Sequence, residues 1–109
     1  VSRKDPTTLP DMVDHMDHAV KLVAIDHVGL GSDADLNGYD DMPADQYKML
    51  KGGYKESYAF RDKLDTDGFD QPMKMFDLTE ELIRRKYSDA NISAILGGNF
   101  RRLLGDTWI

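Results

Sequence analysis

Between two stretches of helical patterning the chain carries one short β-prone run, AIDHVGLGSD at residues 24–33, in which Ile25, Val28 and Leu30 are interrupted by two glycines. The run is too brief and too glycine-broken for another helix, and it predicts a strand over about Asp26 to Ser32. Alternation would put Val28 and Leu30 on one side and His27, Gly29, Gly31 and Asp33 on the other. A single strand cannot satisfy its own backbone N–H and C=O groups, and a two-sided sheet strand needs neighbours. The other candidate, Tyr54 to Phe60, is weak. The order helix, strand, long loop, helix is one turn of an α/β fold, so a chain with one convincing strand is expected to be a piece of something larger, and the order would suit the end of a barrel.

The helices have clear signals. Leu9, Met12, Val13, Met16, Val20 and Val23 follow the i, i+3, i+4, i+7 spacing of a helix with one buried face, with Thr7 or Thr8 as cap and Pro10 in the first turn. Residues 34–76 form a long polar connection with Pro43, Pro72, KGGY and DTDGFD, holding a short helix around Ala44 to Leu50. Connections of this length inside a compact domain are usually functional. DLTEELIRRKY then places Asp77 and Glu80 in a capping arrangement and points Leu78, Leu82 and Ile83 toward a core. Ser88 caps a following helix with Ile92, Ile95 and Leu96 inward, and Gly97-Gly98 reads as its stop. Asn99 reads as the cap of a last helix whose Phe100, Leu103 and Leu104 face inward.

Bulk properties narrow the partners. The 109 residues, 40% hydrophobic and 31% charged, form at most one domain of ordinary globular composition. No apolar run approaches a membrane span, and VSRKDPTTLP lacks the apolar core of a signal peptide. A formal net charge of -6 argues against a nucleic-acid backbone as partner, since the Arg84-Arg85 and Arg101-Arg102 pairs sit in helical patterns rather than one basic run. The absence of cysteine excludes disulfides, thiolate zinc sites and a cysteine nucleophile, without identifying a compartment. His15, His18 and His27 are the only imidazole ligands.

The acidic stretch SDADLNGYDD, residues 32–41, admits two chemistries. From Asp33 it places Asp33, Asp35 and Asn37 at positions one, three and five and Gly38 at six, as in a calcium loop. Position twelve, where a bidentate Glu closes the oxygen shell, is Ala44, and HVGLGS is a poor leading helix. A calcium-binding module using Asp33, Asp35 and Asn37 is therefore the alternative. The other chemistry puts Asp33 at the carboxyl end of a strand, where α/β barrels collect catalytic groups, with Gly29 and Gly31 opening space below it. A turn-capping Asp would share that spacing.

Four motifs in order carry a resemblance: the paired DH helix and the G-x-G-S-D-x-D run in DHMDHAVKLVAIDHVGLGSDADLNG, then L-T-x-E-L-x-R-R-x-Y-S and I-L-G-G-N-F-x-R in FDLTEELIRRKYSDANISAILGGNFRRLL. Over roughly residues 9–104, interrupted at 39–72, the chain resembles the C-terminal part of the membrane (renal) dipeptidase family of zinc peptidases. The resemblance implies residues 1–109 as the C-terminal segment of one dipeptidase domain, a helix–strand–helix portion of a (β/α)8 TIM-like barrel with a loop insertion at about 34–76. It implies hydrolysis of dipeptides by a hydroxide held between two zinc ions. Asp33 then matches a substrate-contacting aspartate that helps shuttle a proton. Asp35 and Gly38 match positions that support the loop. Ala34 and Leu36 depart from the family's usual Phe and Gly.

The family's zinc ligands, an H-x-D pair, a bridging Glu and two later histidines, all precede the resembling region, so no metal ligand is expected in this segment. His15 and His18, at i, i+3, are read as polar packing on the flank of the helix's buried stripe. His27 is read as a buried, hydrogen-bonded imidazole. The implied partners are a dipeptide substrate and the rest of the barrel, with the 39–72 segment open to a role as lid or homodimer contact. By itself the segment is expected to be inactive, and an inactive structural fragment is the description if 109 residues are all there is.

Overall fold

A computed structural model describes residues 5–34, 36–54 and 61–108. Helix α1, Leu9–Val23, begins at Thr8 with Pro10 in its first turn. The Asp11 carboxylate accepts from the Thr8 backbone N–H at 2.9 Å and from its hydroxyl at 2.7 Å, which fixes the entry of the chain. A 3₁₀ turn, Ile25–His27, follows directly. Helix α2, Ala44–Gly53, lies within the long connection. A second 3₁₀ turn, Pro72–Lys74, leads into α3, Met75–Arg84. Helix α4, Asp89–Ser93, is capped by Ser88, whose hydroxyl accepts from the Asn91 N–H at 3.2 Å. A π-type turn, Ala94–Gly98, joins it to α5, Asn99–Thr107.

Among the described residues there is no strand and no sheet, which corrects the expected helix–strand–helix portion of a (β/α)8 barrel. The one β-type contact is an isolated parallel bridge between Thr8 and Asp67, with Leu9 N–H to Asp67 O and Asp67 N–H to Thr7 O both at 2.8 Å. The physical reason lies in where the carbonyls of residues 25–28 go. The Asn99 amide donates to Ile25 O and Val28 O, each at 2.7 Å, and Arg102 donates to Asp26 O at 2.7 Å. Side chains of α5 thus occupy acceptors that a ladder would have used. Asn99 accordingly clamps this turn instead of capping its own helix. Tyr54, the start of the weak second strand candidate, closes α2, and residues 55–60 lie outside the described residues.

The core is thin: Leu9, Val13 and Met16 from α1, Val28, Phe69, Leu78 and Leu82 from α3 and its approaches, and Ile92 and Ile95. Leu78, Leu82, Ile95 and Val13 are fully buried. Three expected inward residues of α5 do not join them, Phe100 being 49%, Leu103 50% and Leu104 39% exposed, and Ile83 of α3 is also solvent-facing. Helix α3 starts at Met75, before the expected Asp77 cap, and Asp77 instead pairs with Lys74 at 3.5 Å. The accessible surface is 7967 Å², against about 6100 Å² for a compact folded monomer of this mass. Leu22, Leu36, Met49, Met73, Phe76 and Trp108 are among the large apolar side chains left exposed.

One ionic cluster joins α1 to α3. Arg85 donates to Glu81 at 2.7 Å, to Asp14 and Asp17 at 2.6 Å each, and to Pro10 O at 2.9 Å. Arg84 grips the other side of Glu81 with bonds of 2.7 and 2.6 Å, and the Tyr87 hydroxyl donates to Asp17. Lys86 turns left-handed at φ 65, so that its N–H reaches Ile83 O and the Tyr87 N–H reaches Leu82 O, closing α3 and placing Tyr87 over α1. Glu81 is buried, and the hydrogen bonds from Arg84 and then Arg85 hold its carboxyl down at about 2 against an ordinary 4.5.

Removing one member of such a cluster leaves a buried charge without compensation. Arg85→Leu is expected to cost about 3 kcal/mol, read as a lower urea midpoint. Because the Glu81 pKa is depressed in the fold, its contribution is complete above pH 4.5 and is lost as the pH falls toward about 2. The urea midpoint should fall across that window, and Glu81→Gln should flatten the fall.

Candidate functional site

The residue singled out by sequence, Asp33, stands exposed at the rim of a cleft of about 360 Å³. Its backbone is left-handed, φ 53, a conformation Asp tolerates better than most side chains. The cleft's other charged lining residues are Arg61 and Asp65, with Tyr39 and Tyr54 beside them and Met12, Leu64 and Phe69 as its apolar floor. Four pieces of chain far apart in sequence therefore meet here: α1, the 31–39 loop, the end of α2 and the 61–69 segment.

The wall opposite Asp33 is built by a few long-range bonds. Tyr47 of α2 donates its hydroxyl to Asp62 O at 3.2 Å and accepts from the Leu64 N–H at 3.0 Å, while its ring meets Tyr39 edge-on at 5.8 Å. The Asp5 carboxylate accepts from the Asp62 N–H at 3.1 Å, and Arg61 donates to the Thr7 hydroxyl. These bonds and the Thr8–Asp67 bridge tie the 61–69 segment to the start of α1. Gly38 makes the turn beside the wall with φ 58, and a Cβ there would lie 2.5 Å from Asp70 O. Both the dihedral and the close approach require glycine at this position.

The electrostatics follow from this crowding. Burial raises the Asp65 carboxyl above its ordinary value, its own backbone N–H partly opposing and the charges of Asp70 and Asp40 adding to the rise. Tyr39 is likewise raised, first by burial, then by Tyr54 and by the negative charges of Asp65 and Asp33, so its phenol stays a protonated donor. The cleft thus offers a buried guanidinium, two carboxylates and phenolic groups. Such a lining can orient a small polar molecule carrying charges of both signs.

Asp35 lies outside the described residues. Asn37 donates its amide to Asp41, and the turn continues through Asp40 N–H to Asn37 O at 3.1 Å and Met42 N–H to Tyr39 O at 3.1 Å. The space below Asp33 expected from two glycines is only half realised: the Phe100 ring sits where a Gly29 Cβ would point, 2.4 Å away, while Gly31 faces open space. His27 is exposed, correcting its expected burial, and His15 and His18 are exposed on α1. No histidine lines the cleft. Among the described residues no group of three or more His, Asp or Glu side chains could share a metal ion, so they do not fit a two-zinc centre. Arg61 and Asp65 escaped sequence reasoning; the signal available was an arginine and carboxylates, RDKLDTDGFD, inside a long connection.

The class of molecule so defined is a small helical unit with a mixed-charge cleft at the meeting of its loops. No protein-family model matches the chain. No solved structure matches it. It is similar to a curated dipeptidase, aclJ of Aspergillus oryzae, with 30% identity over 102 residues that cover 94% of this chain and 18% of the relative. The chain therefore spans 18% of the length of the curated relative it matches. A distant dipeptidase relationship follows for this segment, in line with the sequence resemblance.

Gly38→Ala is expected to displace the turn and cost about 2 kcal/mol, since a non-glycine residue must hold the left-handed conformation while its Cβ meets a carbonyl. A thermal melt checks the loss, and an unchanged midpoint would contradict the packing of Gly38 on Asp70.

Proposed function

We propose that the chain is the C-terminal segment of a longer dipeptidase, a hydrolase of dipeptides, and that Asp33 is the residue by which this segment contacts the substrate. The observation that carries the reading is the similarity to a dipeptidase over nearly the whole chain, 94% of it, with Asp33 at the rim of the cleft. The open apolar faces support it physically. Leu22, Phe76, Leu103 and Trp108 are 70%, 80%, 50% and 76% exposed, as side chains that a further part of the protein would cover.

On this reading the two zinc ions and their ligands belong to the part of the protein outside this chain, and the metal centre would supply the activated water. The residues here bind and orient. Asp33, exposed and held in a left-handed backbone turn, meets the dipeptide at the cleft rim, where a carboxylate can accept a proton from the substrate and return it. The loop behind it is set by Gly38. Tyr39, Tyr54 and the 61–69 segment form the opposite wall of the cleft and set how much room a dipeptide has.

The test is Asp33→Asn in the full polypeptide that carries this chain. Turnover of a dipeptide is expected to fall about 100-fold or more, with bound zinc per chain unchanged. Equal losses of turnover and zinc would show that Asp33 acts by holding the metal site together, and unchanged turnover would remove it from the substrate contact.

A further inference from the structure

Of the asparagines Asn37, Asn91 and Asn99, only Asn37 precedes a glycine. Glycine puts no side chain beside its own backbone nitrogen, so that nitrogen can reach the carboxamide carbon of the residue before it. The structure leaves this pair open. Asn37 is exposed in the turn after Asp33, and the Gly38 N–H has no acceptor among the described residues. The other asparagines are locked: the nitrogen after Asn91 donates to Ser88 O at 2.9 Å, and the Asn99 amide is engaged with Ile25 O and Val28 O at 2.7 Å each. Asp67-Gly68, the acidic counterpart of the pair, is held as well. Its backbone is tied on both sides by the bonds to Thr7 and Leu9, and Lys63 donates to the Asp67 carboxylate at 2.9 Å.

We propose that Asn37 is a self-modification site, where the chain deamidates without an enzyme and thereby unseats the loop that carries Asp33. The Gly38 nitrogen, on losing its proton, bonds to Asn37 Cγ; the Cγ–Nδ2 bond breaks and ammonia leaves with a proton from solvent. Water then opens the resulting five-membered imide at either carbonyl, giving an aspartate or an isoaspartate. Amide and water become carboxylate and ammonium, and no other reactant enters. Both products disturb the turn. A carboxylate at position 37 faces that of Asp41, which in the intact chain accepts from the Asn37 amide, so an attraction becomes a repulsion. An isoaspartate lengthens the main chain by one carbon just before Gly38, where there is no slack. Asp40 N–H donates to Asn37 O at 3.1 Å, the Gln71 amide donates to Asp40 at 3.2 Å, and a Cβ on Gly38 would already lie 2.5 Å from Asp70 O. That the displaced loop carries a working residue rests on the dipeptidase reading; the chemistry at Asn37 does not.

The test is to age the full polypeptide that carries this chain in warm, mildly alkaline buffer and sample it over time. The peptide spanning Asn37 is followed by chromatography and mass spectrometry, and isoaspartate is counted by methyl transfer from an isoaspartyl methyltransferase. The amide form of that peptide is expected to give way to two acid forms of equal mass, faster at higher pH, while the peptides with Asn91 and Asn99 stay intact. Dipeptide turnover should be lost in proportion, and the thermal midpoint should fall with it, a readout that needs no activity. Asn37→Gln, whose longer side chain would have to close a six-membered ring, should keep both its amide and the turnover it starts with. A lasting Asn37 amide, or earlier deamidation at Asn91 or Asn99, overturns the site. Label at Asn37 with turnover and midpoint both steady overturns the unseating of the loop. A fresh polypeptide that hydrolyses no dipeptide counts against the dipeptidase reading alone, since label and midpoint still decide the modification.

Discussion

The fold depends on one charge pair, a buried Glu81 and a partly buried Arg85. Glu81 and Arg85 lie on the same helix, but Arg85 reaches across to Asp14, Asp17 and the Pro10 carbonyl on α1, so one guanidinium sets the distance and rotation of two helices. The apolar contacts of Val13, Met16, Leu78 and Leu82 then fill the seam between them. A core of this size has little to spare, and an ionic clamp of this kind gives register more than it gives net stability. The entry into α4 follows from the same seam, because the left-handed turn at Lys86 aims Tyr87 at Asp17 and starts the chain toward Ser88.

A second clamp decides what becomes of the β-prone run. Ala24 ends α1 with a left-handed φ of 66, and the chain is then gathered by Asn99 and Arg102 through the carbonyls of Ile25, Asp26 and Val28. Residues that alternate like a strand are held here as a 3₁₀ turn and an unpaired extended stretch. Local pattern reports what a segment would do beside a neighbouring strand, and the described residues offer none. The helices were legible because their signals are local: Thr8 and Ser88 as caps, and Val13, Met16, Leu78, Leu82, Ile92 and Ile95 as a buried stripe. Their outer faces were not, since Ile83, Phe100 and Leu103 have the right spacing for burial but nothing in the structure covers them.

The site divides along the same line. Asp33 was singled out by its place after a glycine-broken run, and Gly38 by its place in the loop, both features of short sequence range. Arg61 and Asp65 were not, because their proximity to Asp33 depends on Tyr47, Asp5 and Thr7 drawing the 61–69 segment back onto α1. Those bonds join residues up to 57 positions apart, and side-chain spacing carries no record of them. The buried guanidinium is likewise a property of the assembled walls and not of any motif.

Open apolar helix faces, a mixed-charge cleft and a match to 18% of a dipeptidase are the grounds for proposing that the segment belongs to a larger hydrolase. The measurement that tests this most directly is the intact denatured mass of the natural gene product. A mass well above the 12.4 kDa of this chain is predicted, with room for the metal ligands and for the surface that covers α5. A mass of 12.4 kDa would contradict the account, leaving no place for a zinc centre within one chain.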